Sequence, residues 1–93
     1  MSVIRIGIMG FGGIGRQIYK LASRDSRFEV VAVADIGRPE ILANLLDVTM
    51  EHSGEVELQG NYLVRGANRT RLMPTNEPKE IPWDVFGVDL VID

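Results

Sequence analysis

With 93 residues, 45% of them hydrophobic and 25% charged, the chain has the size and composition of one small globular domain, not of a disordered or collagen-like segment. The net charge is −3 and the ten basic residues are scattered from Arg5 to Lys79, which argues against a nucleic-acid partner. There is no cysteine, so a disulfide scaffold, a cysteine-based metal site and a cysteine nucleophile within these residues are excluded.

Residues 3–9 are short, β-branched and mostly apolar, as expected of a strand buried in a parallel sheet. Arg5 interrupts the run and no cleavage pattern follows, so it does not read as a signal peptide. No apolar stretch reaches the roughly 20 residues of a membrane span, and no membrane partner is expected. A glycine cluster follows, and from Gly13 the apolar period becomes helical. Ile14, Ile18, Leu21 and Ala22 predict the inward face; Arg16, Gln17 and Lys20 predict the polar one. Asp25-Ser26-Arg27 suits a turn. Residues 28–34 read as a second buried strand that stops at Asp35. Gly37 predicts a turn, and Pro39 with Glu40 the first turn of a second helix. Ile41, Leu42, Leu45 and Leu46 would form its apolar face.

From Gly54 the signals weaken. Residues 55–59 and 61–65 suggest short strands, and 69–73 the return strand of a hairpin. Pro74, Pro78 and Pro82 mark an extended stretch, and Trp83 suits a core or loop anchor. Residues 88–92 form another buried-strand pattern. Strands alternating with helices imply a parallel sheet with right-handed crossovers. The expected architecture is α/β: the first mononucleotide-binding half of a Rossmann-type parallel sheet with a small β-hairpin insertion. Residues 1–93 would form this partial domain, with no catalytic domain in the chain. Because the pattern stops on what reads as a central strand, a piece of a longer protein is expected over a free-standing nucleotide or ADP-ribose-binding module.

Gly10, Phe11, Gly12, Gly13, Ile14 and Gly15 fit G-x-G-x-x-G between a strand and a helix. Gly10 permits the turn out of the strand. Gly12 leaves room for a pyrophosphate to approach the backbone, and Gly15 allows the helix to pack closely on the sheet. The helix N-terminus offers free N–H groups and partial positive charge to phosphates. Asp35 lies twenty residues after Gly15, where a carboxylate can accept the ribose hydroxyls of adenosine. Such a carboxylate repels a 2′-phosphate, so NAD is expected over NADP, although Arg38 nearby could tolerate the latter. Ile36, next in the chain, is expected to share the cofactor site. His52, the only histidine, reads as a surface residue. Arg65, Arg69 and Arg71 read as a solvated hairpin face. No catalytic residue and no metal site are expected.

Residues 6–16, Ile-Gly-Ile-Met-Gly-Phe-Gly-Gly-Ile-Gly-Arg, resemble the N-terminal signature of phosphorylating glyceraldehyde-3-phosphate dehydrogenases, G-x-N-G-F-G-R-I-G-R. The resemblance continues through residues 31–35, Leu45 and Leu46, resumes at Pro78, Ile81 and Trp83, and ends with residues 91–93. It implies an NAD-dependent enzyme that oxidises glyceraldehyde 3-phosphate to 1,3-bisphosphoglycerate in cytoplasmic glycolysis, acting on a small phosphorylated aldehyde as a homotetramer. It also implies that the Gly13 and Ile14 backbone meets the pyrophosphate, that Asp35 holds the adenine ribose and that Asn76 lies beside the adenine. The family's cysteine nucleophile and its activating histidine lie beyond the residues matched here. The chain departs from the pattern at Met9, where the family has asparagine, at Gly13 and Asn76, where it has arginine, and at residues 49–54, which replace D-S-T-H-G. These departures leave a divergent relative, or the similar erythrose-4-phosphate dehydrogenase, as alternatives.

Overall fold

A computed structural model describes residues 2–93. The described residues form strands β1 (Ile4–Met9), β2 (Phe28–Ala34), β3 (Glu57–Gln59), β4 (Tyr62–Arg65), β5 (Asn68–Met73) and β6 (Leu90–Ile92) and helices α1 (Gly13–Ser23) and α2 (Pro39–Thr49). A short 3-10 turn, Pro78–Glu80, lies in the proline-marked stretch.

All six strands join one sheet in the order β3-β4-β5-β2-β1-β6. β5, β2, β1 and β6 are parallel, and β3 and β4 extend the sheet antiparallel beyond β5. Counted along the parallel strands alone, this is the 3-2-1-4 order of a Rossmann sheet, so the order reverses between β1 and β6. The expected hairpin is present and continuous with this sheet, because β5 is both its last strand and the parallel neighbour of β2.

The main core lies between the sheet and the two helices. Ile6, Ile8, Val30, Val33, Leu63 and Leu72 from the strands meet Tyr19, Ala22, Leu42 and Leu46 from the helices. On the opposite face the segment after β5 folds back over β1. Trp83 lies so close over Gly7 that a Cβ there would sit 2.5 Å from its ring, which confirms Trp83 as an anchor.

The inward faces of both helices differ from those expected. On α1, Gly15, Tyr19 and Ala22 are buried, whereas Ile14 is 81% and Leu21 68% exposed; Ile18 is half-buried. The reason is steric. A Cβ on Gly15 would run into the Gly10 carbonyl, so the helix turns its glycine side to the sheet. That rotation carries Tyr19 and Ala22 inward, at helical spacing from Gly15. On α2, Leu42 and Leu46 are buried with Met50 just beyond them, while Ile41 and Leu45 stay exposed. The buried set follows the i, i+4, i+8 row that faces the strands. Arg16, expected on the solvent face, bonds across to α2 instead.

Residues 88–92 also differ from expectation. The strand covers only Leu90–Ile92 and pairs with β1, and Leu90 is 49% exposed with Val91 exposed too rather than buried. Asp25 and Arg27 make the expected turn, in which the Asp25 carboxylate accepts both the backbone and the side-chain N–H of Arg27. His52 is exposed and its Nδ1 lies 2.7 Å from Asp47.

Candidate functional site

At the carboxyl ends of β1 and β2 the chain leaves the sheet through two turns that bond to each other. Gly10 has φ +84°, a left-handed conformation that glycine adopts without the penalty of a Cβ. Its N–H donates to the Ala34 carbonyl at 2.7 Å, which ties the start of the loop to the end of β2. The Asp35 carboxylate then spans both turns. Its Oδ2 accepts the Phe11 N–H at 2.8 Å, and its Oδ1 accepts the Gly37 N–H at 2.7 Å. Its backbone is fixed by a bond from its own N–H to the Met73 carbonyl at 3.0 Å.

α1 begins inside the glycine motif. Its first long bond runs from the Arg16 N–H to the Gly12 carbonyl at 2.9 Å. The N–H groups of Gly13, Ile14 and Gly15 precede that bond, and no side chain caps the end. No acidic residue sits in the first turn, so the positive end of the helix faces outward uncompensated. A Cβ placed on Gly12 or Gly13 would meet nothing within 4 Å. Internal packing does not demand a glycine at either position; the space lies on the ligand side.

Two adjoining crevices open here. The first, about 310 Å³, lies at the reversal of strand order between β1 and β6, lined by Gly10, Gly12, Gly13, Ile14 and Gly15 together with Ile92. The second, about 290 Å³, is bounded by Gly10, Asp35, Ile36 and Asn76. Met9, Gly10 and Asp93 border both, so the two form one trough at the place where open α/β sheets bind ligands. The structure thus gathers the sequence-predicted residues at one end of the sheet. Phe11 differs in role: its ring is buried edge-on against Tyr19 with centroids 6.1 Å apart, and it lines neither crevice, its N–H being taken by Asp35 and its carbonyl by Arg16. Sequence reasoning missed Met9, although it directly precedes the first glycine. It also missed Arg16, whose partners meet only in the folded chain.

Below the loop, Tyr19 is buried and its hydroxyl has no hydrogen-bond partner among the described residues. Burial pushes that hydroxyl above its usual acidity range, while Arg65 and Thr70 pull the other way without reaching bonding geometry. Among the described residues no cluster of three His, Asp or Glu side chains could hold a metal ion.

Fold and site together define a dinucleotide-binding domain of Rossmann type. The donor set suits an adenine dinucleotide, since the free N–H groups, the room over Gly12 and Gly13 and the fixed carboxylate all open on one trough. The family model described as glyceraldehyde 3-phosphate dehydrogenase, NAD binding domain, matches residues 4–93, and the chain belongs to that family. It is 43% identical over 93 residues to the glyceraldehyde-3-phosphate dehydrogenase of Kitasatospora aureofaciens, covering 96% of this chain and 28% of that protein. It is 33% identical to the Buchnera aphidicola enzyme of the same name, over 97% of this chain and 28% of that protein. To the cytosolic glyceraldehyde-3-phosphate dehydrogenase of Trypanosoma brucei brucei it is 34% identical, over 98% of this chain and 28% of that protein. The chain therefore spans 28% of the length of these relatives.

Proposed function

We propose that this chain is the cofactor-holding part of a phosphorylating aldehyde dehydrogenase that oxidises glyceraldehyde 3-phosphate to 1,3-bisphosphoglycerate. The observation that carries the reading is the joining of Asp35 to the glycine loop through the Phe11 N–H, which sets a ribose acceptor beside a pyrophosphate cradle. Gly10 turns the chain, and the Gly12, Gly13 and Ile14 backbone faces the pyrophosphate. Gly15 holds the helix end close to the sheet, so its N–H groups aim at the same anion. Asp35 accepts the adenine ribose hydroxyls with the lone pairs left by Phe11 and Gly37. Ile36 and Asn76 flank the adenine.

A carboxylate at this place repels a 2′-phosphate, which favours NAD over NADP. When bound, NAD supplies the hydride acceptor through its nicotinamide. The nucleophile that engages the aldehyde belongs to residues other than these, since the sequence contains no cysteine. The chain by itself is inactive on this reading, and the catalytic domain is a separate part of the protein. The kinship supports a homotetramer working in the cytoplasm. No helix among the described residues is long and apolar enough to cross a membrane.

Calorimetric titration with ADP-ribose tests the reading. The chain binds it, and Asp35→Ala weakens binding at least about tenfold, as expected for loss of charge-assisted hydrogen bonds. No binding by the wild type, or equal binding by both, contradicts the assignment.

A further inference from the structure

We infer that Arg16 is a positioning residue that holds the glycine loop in its anion-accepting shape; this rests on reading that loop as the pyrophosphate cradle. An anion site made of backbone needs its N–H groups turned toward the ligand and its carbonyl oxygens turned away. Arg16 holds two of those carbonyls. Its Nη1 donates to the Phe11 carbonyl at 3.0 Å, and its own backbone N–H donates to the Gly12 carbonyl at 2.9 Å. The Phe11 residue is therefore gripped from both sides, by Asp35 at its N–H and by Arg16 at its carbonyl.

The other end of the guanidinium is anchored outside the loop. Arg16 Nε donates to Thr49 Oγ1 at 3.1 Å, at the carboxyl end of α2. The Thr49 hydroxyl donates in turn to the Leu45 carbonyl at 3.2 Å, which leaves a lone pair for Arg16. The negative end of the α2 dipole also favours a cation there. Arg16 forms no ion pair with a carboxylate among the described residues, so its planar fork is committed to these neutral acceptors. The strap runs from α2 through Arg16 to the Phe11 carbonyl, and from the Phe11 N–H to Asp35. It links the ribose acceptor and the pyrophosphate loop as one rigid unit.

Two readouts on the 93-residue chain test the inference, one of them without any ligand. In Arg16→Met, amide hydrogen exchange at Gly10 and Phe11, the loop N–H groups that are hydrogen-bonded, rises about tenfold while exchange over residues 62–71 stays as in the wild type. ADP-ribose affinity falls about tenfold, and adenosine affinity stays within about twofold because adenosine has no pyrophosphate. Arg16→Lys does not restore either readout, since an ammonium cannot span both acceptors in the plane of a guanidinium. Thr49→Val keeps the charge, removes only the anchor and moves both readouts the same way by about threefold. Full rescue by lysine overturns the strap and makes Arg16 a simple charge facing the phosphates. Unchanged exchange in Arg16→Met or Thr49→Val, or equal losses for adenosine and ADP-ribose, overturns it as well. Failure of the wild type to bind ADP-ribose counts against the proposed function alone, because the exchange result is read on the free chain.

Discussion

The glycine loop and the β4–β5 hairpin sit at different places on one sheet and are held by different means. At the loop, side chains reach back to the backbone: Asp35 to Phe11 and Gly37, Arg16 to Phe11. At the hairpin the buried Thr70 hydroxyl also reaches backbone, at the Val30 carbonyl, but the arginines rest on an aromatic ring. Arg69 and Arg71 stack on Tyr62 at 4.4 and 5.3 Å from its ring centroid. Backbone-directed bonds fix the positions of donors and acceptors, which an anion site requires. Cation stacking on a half-buried ring gives modest stability with loose geometry. The contrast teaches where a substitution damages a site and where it only trims stability.

The largest effect belongs to Gly15→Ala. The new Cβ meets the Gly10 carbonyl, a backbone atom that cannot step aside without moving the loop. Stability falls by about 2–3 kcal/mol in urea unfolding, at the upper end for overpacking. An unchanged midpoint would separate the loop's shape from the close helix approach.

Next comes Asp35→Ala in the complete enzyme, where it weakens NAD more than NADP and shifts their ratio by roughly tenfold in steady-state kinetics. A shift the other way removes Asp35 from the ribose.

On the hairpin side, Tyr62→Ala forfeits both stacking contacts and lowers stability by about 1 kcal/mol, with ADP-ribose affinity unchanged. A loss of affinity there would break the division between the two regions.

Tyr19→Phe removes a buried hydroxyl without a protein partner, so thermal stability stays within about 1 kcal/mol or rises. A clear loss would show that Arg65 or Thr70 bonds the hydroxyl in solution.

The smallest effect concerns Asp25. The Arg27 side chain, and then the Arg27 backbone N–H, hold its carboxyl at about 2, below the ordinary 3.8. Its contribution to folding is present above the unfolded value and fades as pH falls toward about 2. Melting curves of wild type and Asp25→Asn therefore differ slightly above pH 3.8 and converge near pH 2.

The sequence announced the features that depend on local backbone demands. The strand–glycine–helix motif, the acidic residue at the end of β2 and the Pro39 start of α2 were all legible, because each residue type answers a local geometric need. Helix rotation was not read correctly from apolar spacing, since Ile14 and Leu21 outweigh Tyr19 in hydrophobicity. The better signal was already in the motif: a glycine required for close packing marks the inward side of its own helix. The role of Arg16 was not legible at all. Its acceptors, Phe11 and Thr49, lie 5 and 33 residues away in sequence and meet only when α1 packs beside α2.

The division between loop and hairpin can be read residue by residue by titrating ADP-ribose into isotope-labelled chain and following backbone amide shifts. Saturable shifts are expected over residues 10–15, at Asp35, Ile36 and Gly37 and at Asn76, with residues 57–65 unmoved. Shifts centred on the hairpin, or none at saturating ligand, would contradict it.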